Sequence, residues 1–92
     1  MTHTYSPADA AVLTGAASQL VFDCYEIALM RADAGHFWHA AKSMRVAAAA
    51  ARIVAAQNQN SPSGLRFAVR AAECDGAARF YEQQARASAN KE

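Results

Sequence analysis

The chain has 92 residues, nine basic and eight acidic side chains, and an apolar share of 53%. That length suits one domain and is too short for two independent cores. Few glycines (4), prolines (2) and cysteines (2) exclude collagen-like and disulfide-scaffold chains, and the apolar share excludes a disordered one. Alanine supplies 25 of the 49 apolar residues, leaving 24 larger ones, and β-branched residues are few. Alanine is the strongest helix former, so the expected class is all-α: an up-down-up three-helix bundle over 1–92, with frayed ends at 1–5 and 88–92.

The first helix is expected over about 7–33. Ser6 suits an N-cap, Pro7 the first helical position and Asp9 the returning acid of a capping box. Leu13, Ala17, Leu20, Cys24, Ile27, Arg31 and Ala34 then recur at four- and three-residue steps, and all but Arg31 are apolar. That rhythm predicts the buried stripe of an amphipathic helix. Phe22, Tyr25 and Leu29 fall beside it. Asp33-Ala-Gly35-His36 reads as a tight turn, in which Gly35 ends the first helix in the left-handed conformation or Asp33 caps the second.

The second helix, about 36–57, presents Phe37, Ala40, Met44, Ala47, Ala51 and Val54 on one face. Five consecutive alanines, 47–51, allow a neighbour to approach closely there. Residues 57–64 form a polar loop, with Ser61 or Ser63 as cap. The third helix, about 62–88, shows Phe67, Ala71, Cys74, Ala78, Tyr81 and Ala85, widened by Leu65, Val69, Ala72 and Phe80. Asp75/Arg79 and Glu82/Arg86 stand at the four-residue spacing that suits solvated ion pairs.

Charge is segregated: residues 1–34 sum to −3, 35–60 to +3 and 61–92 to +1. The acids of helix 1 are therefore expected to attract the bases of helix 2. No stretch combines a basic start, an apolar run and a small-residue cleavage site, and none reaches the ~20 apolar residues of a bilayer span. A cytoplasmic protein follows, without a membrane role. Alanine and arginine bias hints at a GC-rich bacterial source. Cys24 and Cys74 match no metal spacing and read as small core hydrophobes.

Candidate chemistry is sparse. Asp33, His36 and His39, with Glu26 one turn back, have the residue types of a metal site but lack the repeated Glu-x-x-His pattern of di-iron bundles. Arg31 and His36 have a spacing that resembles HEPN-type ribonucleases, in which an arginine and a histidine act on an RNA phosphodiester. A net charge of +1 is low for an RNA binder. Trp38, Lys42, Arg45 and Arg52 make the best basic-aromatic surface for an anion or nucleic acid, with internal pairing to the acids of helix 1 as the competing account. No nucleophile elbow, phosphate loop or dinucleotide fingerprint occurs, and no cofactor is implied.

The stretch of about 24–51 resembles a tetratricopeptide-type helical hairpin: Ala28, Gly35, Phe37, Ala40 and Ala47 stand where that repeat takes small, glycine, aromatic, small and small residues. The microtubule-interacting-and-transport domain has a similar rhythm. The resemblance implies a helix-binding groove or partner surface and carries no catalytic residues. Some 22 large apolar residues, once Met1 and Tyr5 are set aside, are few for three long helices. We therefore expect a non-enzymatic interaction module, an adaptor, chaperone or inhibitor, which covers Phe22, Tyr25, Leu29 and Trp38 with a protein partner or a second copy.

Overall fold

The computed structural model describes the backbone of residues 7–89 and the side chains of 15–89. Three helices follow one another: α1 Pro7–Asp33, α2 Phe37–Gln57 and α3 Pro62–Ala89. They form the expected all-α three-helix bundle. Ser6 and the side chains of Asp9 and Leu13 lie outside the described residues, as do 1–5 and 90–92. Ser88 and Ala89, expected to fray, continue α3.

Gly35 makes the first turn. Its φ is +82°, and the His36 and Gly35 amides donate to the carbonyls of Arg31 (2.8 Å) and Ala32 (3.0 Å). This paired closure is a Schellman motif, which satisfies carbonyls that a helix end leaves unpaired. Asp33 is thus the last residue of α1 and does not cap α2. His36 holds the cap position of α2 without a side-chain cap bond. At the second turn, Ser61 is the cap: its Oγ donates to the Asn58 carbonyl (2.7 Å) and accepts from the Gly64 amide (3.1 Å).

α2 is the shared element; α1 and α3 each lie along it and approach each other closely at few points. Val21, Ala50, Ala51 and Ala71 form one core cluster, and Ala28, Ala41, Met44, Ala47, Ala48, Cys74 and Ala78 the other. Low numbers on α1 meet high numbers on α2, so these neighbours run antiparallel, and the same holds for α2 and α3. Serving two neighbours widens the buried arc of α2 to about 180° of its circumference at ~100° per residue. Of the fourteen buried apolar residues among those described, ten are alanine; the larger ones are Val21, Met44, Val54 and Cys74.

Two stripes differ from expectation. On α1 the buried line is Val21 and Ala28, flanked by Cys24 and Tyr25, whereas Leu20 and Ile27 are exposed. The helix is rotated by about one residue because small side chains, not large ones, let it lie close to the alanines of α2. On α3, Ala71, Cys74, Ala78 and Ala85 are buried as expected, but Leu65, Val69, Ala72 and Phe80 do not widen the core: all four are exposed.

Candidate functional site

The three helix pairs present three chemically different faces. The α2/α3 face is ionic. Arg45 donates to Asp75 (3.2 Å) and Glu82 (2.8 Å), and Arg52 to the other oxygen of Asp75. The bases of α2 thus engage the acids of α3, not those of α1. Antiparallel helices explain this: Arg45 and Arg52 stand seven residues apart, as do Asp75 and Glu82, so each pair lies on one side of its helix and the two sides face each other. Asp75 and Glu82 also turn away from Arg79 and Arg86, the local partners expected for them. Arg86 lies over the Trp38 ring at 5.8 Å.

Hydrogen bonds from Arg52, and then from Arg45, hold the Asp75 carboxyl below the ordinary carboxylate range. Because the folded value is depressed, the stabilisation is present at neutral pH and fades as pH falls below about 4, the ordinary aspartate value. In urea titrations between pH 7 and 3, the native chain is expected to lose stability more steeply than Asp75→Asn. Identical slopes would mean that the bridge carries no folding energy. Glu82 similarly raises the Arg45 guanidinium further above its usual value. An anion on this face would have to displace Asp75 and Glu82, which leaves Lys42 as the unengaged base of the Lys42, Arg45 and Arg52 set.

The α1/α3 face is a mixed cleft of about 260 Å³, lined by Val21, Phe22, Ser63, Arg66, Phe67 and Arg70. Arg70 lies over the Tyr25 ring at 5.5 Å and pairs with Glu73 at 3.5 Å. Tyr25 packs against the core cluster and is half-buried, so it is not the open contact residue expected from the sequence. Phe22 and Leu29 are exposed on this flank of α1, whereas Trp38 is exposed on the far side of α2. The four expected contact residues therefore do not share one patch.

The α1/α2 face is apolar. Leu20, Ile27 and Met30 of α1 and Val46 and Ile53 of α2 are 41–65% exposed. Residues 20, 23, 27 and 30 keep steps of three and four, as do 42, 46, 49 and 53. Each series is a continuous seam interrupted by one charge, Asp23 on α1 and Lys42 on α2. The Gln19 amide donates to Asp23 at 2.9 Å; among the described residues no base pairs with Asp23, Glu26 or Asp33. On α1 the seam residues Leu20 and Ile27 were expected in the buried stripe and are exposed instead, while on α2 the seven-residue repeat of Val46 and Ile53 was the available signal.

Potential reactive groups are not assembled. His36 and His39 meet edge to face, 6.2 Å between centroids. Among the described residues, no three His, Cys, Asp or Glu side chains gather to hold a metal ion, so Asp33, His36, His39 and Glu26 are not brought together. Arg31 and His36 are joined by backbone across the Schellman turn. Burial raises the thiols of Cys24 and Cys74 above their ordinary value, with Asp23 adding to the effect at Cys24, which keeps both protonated and poorly nucleophilic. No helix among the described residues is long and apolar enough to cross a membrane.

No family model, curated protein or solved structure matches the chain. The reading of these faces therefore rests on their own residues.

Proposed function

We propose that the chain is a small non-enzymatic interaction module, an adaptor, chaperone or inhibitor that works by burying an outer helical face against another protein surface. One observation carries the reading. Among the described residues the core is built mostly of alanine, while eleven large apolar side chains stand at 40% exposure or more, five of them on the α1/α2 face. Isolated exposed leucines are ordinary, but a run of them along two adjacent helices marks an interaction site. The two free cysteines agree with a reducing, cytoplasmic setting.

A photo-reactive side chain at Ile53, introduced in the native host, should give a discrete protein adduct, while the same probe at the exposed loop residue Gln59 should not. Equal labelling at both positions, or none at Ile53, would overturn the reading.

A further inference from the structure

We infer that the α1/α3 cleft is a binding site for a small aromatic carboxylate, in which Arg66 and Arg70 hold the carboxylate and Phe22 and Phe67 the ring. The inference concerns a different face from the interaction-module reading and stands apart from it.

The cleft follows from the architecture. α1 and α3 each pack along α2 and approach each other closely at few points, so a wedge stays open between them. Ser63, Arg66, Phe67 and Arg70 recur at three- and four-residue steps, which places all four on one side of α3. Val21 and Phe22 form the opposite wall from α1.

Charge defines one half of the ligand. Two guanidinium groups line the cleft and, among the described residues, no carboxylate does. On the α2/α3 face, by contrast, Arg45 and Arg52 are matched by Asp75 and Glu82. Arg66 reaches the Ser63 hydroxyl at 3.5 Å, and among the described residues no acid pairs with it. Arg70 lies over the Tyr25 ring at 5.5 Å. Its partner Glu73, 3.5 Å away, is 59% exposed and stands outside the cleft. A guanidinium fork matches a carboxylate through two parallel hydrogen bonds, so this pair of cations suits one planar anion.

Shape and polarity define the other half. Val21 is buried at the base of the cleft, Phe67 is partly buried and Phe22 stands exposed at its edge. Such walls favour an aromatic ring, which packs offset or edge to face against phenylalanine. The volume of about 260 Å³ is the space of about nine waters at ~30 Å³ each. An ion the size of benzoate, one ring and one carboxylate, fits that space. A nucleotide, with base, sugar and phosphate, exceeds it, and inorganic phosphate leaves the aromatic walls unused.

Heteronuclear NMR of the full chain titrated with benzoate tests this. Amide shifts at Phe22, Ser63, Arg66, Phe67 and Arg70 should saturate with a Kd of about 1 mM or below. Benzamide keeps the ring and the size without the charge, and should bind about tenfold more weakly, because hydrogen bonds between charged groups are the stronger kind. Inorganic phosphate, which has charge without a ring, should also bind more weakly. Arg66→Gln should lower benzoate affinity about tenfold and leave the weak benzamide affinity unchanged, a split that a general disturbance of the fold would not produce. Phe22→Ala, at a side chain already solvated, should weaken both ligands with unchanged helical circular dichroism.

No saturable shift up to about 10 mM benzoate, or shifts centred away from these residues, would overturn the proposal. Equal affinity for benzamide would show an apolar cleft without charge selection, and equal affinity for phosphate a plain anion patch; either result overturns it. Benzoate affinity unchanged in Arg66→Gln or in Phe22→Ala would overturn the roles given to those side chains.

Discussion

Met44→Ala should cost about 3–4 kcal/mol, among the largest losses available to a single side chain in this protein. Met44 is 1% exposed and the largest fully buried side chain among the described residues. Its cluster neighbours are Ala28, Ala41, Ala47, Ala48, Cys74 and Ala78. In a leucine-rich core, adjacent side chains change rotamer and partly fill a deletion. Alanine has no rotamer to change, so the cavity can close only by moving whole helices. The cost should therefore lie well inside the 2–5 kcal/mol range for such truncations, not at its lower edge. A domain of this size has roughly 5–10 kcal/mol in total, so the melting temperature should drop by about 15–25 °C. Met44→Leu, which conserves volume, should cost less than about 1.5 kcal/mol. Urea unfolding at one fixed protein concentration measures both. A loss below 1 kcal/mol for Met44→Ala would show that α1 and α3 close over the gap.

The same alanine packing decides how much of the molecule was legible. Helix type, order and ends follow from capping residues, from Gly35 and from the polar loop before Pro62, because these signals act locally. The stripes of α2 and α3 are also legible, since Ala40, Ala47 and Val54, and Ala71, Ala78 and Ala85, recur at seven-residue steps. On α1 the large residues mislead. Leu20 and Ile27 attract attention as core positions, yet a closely approached seam selects Val21 and Ala28 and turns the larger side chains outward. Arg31 on the expected stripe was the local sign of the misreading, since a charge has no place in a buried line of this kind.

Long-range pairing was the less legible part. Segment sums of −3 and +3 point from helix 2 to helix 1, but net charge ignores direction. Arg45 and Arg52 lie on the side of α2 that faces α3, and spacing rather than total charge determines that they meet Asp75 and Glu82. Among the described residues, Asp23, Glu26 and Asp33 of α1 pair with no base of the bundle. The α2/α3 bridge, largely solvent-accessible, should add little to stability, since exposed pairs contribute about 0–1 kcal/mol. It lies along the same α2/α3 contact as the stack of Phe37 on Tyr81, 6.4 Å between centroids.

One substitution, glycine to alanine, should have opposite signs at two positions of α3. A Cβ at Gly64 would fall on the Asn58 carbonyl oxygen, 2.8 Å from its carbonyl carbon and 3.3 Å from the Ala55 oxygen. Both obstacles are backbone and cannot swing aside. The Asn58 carbonyl also accepts the bonds of the Ser61 hydroxyl and amide, so relieving the clash disturbs the cap of α3. Overpacking of this kind costs about 1–3 kcal/mol and more where backbone must shift. The helical preference of alanine returns only about 1 kcal/mol. Gly64→Ala should therefore be destabilising by about 2 kcal/mol. At Gly76 a Cβ meets nothing within 4 Å, and the position lies within α3 on its exposed side. Gly76→Ala should stabilise the fold by about 0.5–1 kcal/mol through the same helical preference. Thermal melts of the two variants beside the native chain give the comparison. If both moved in the same direction, the close approach of the 58–61 loop to the start of α3 would be wrong.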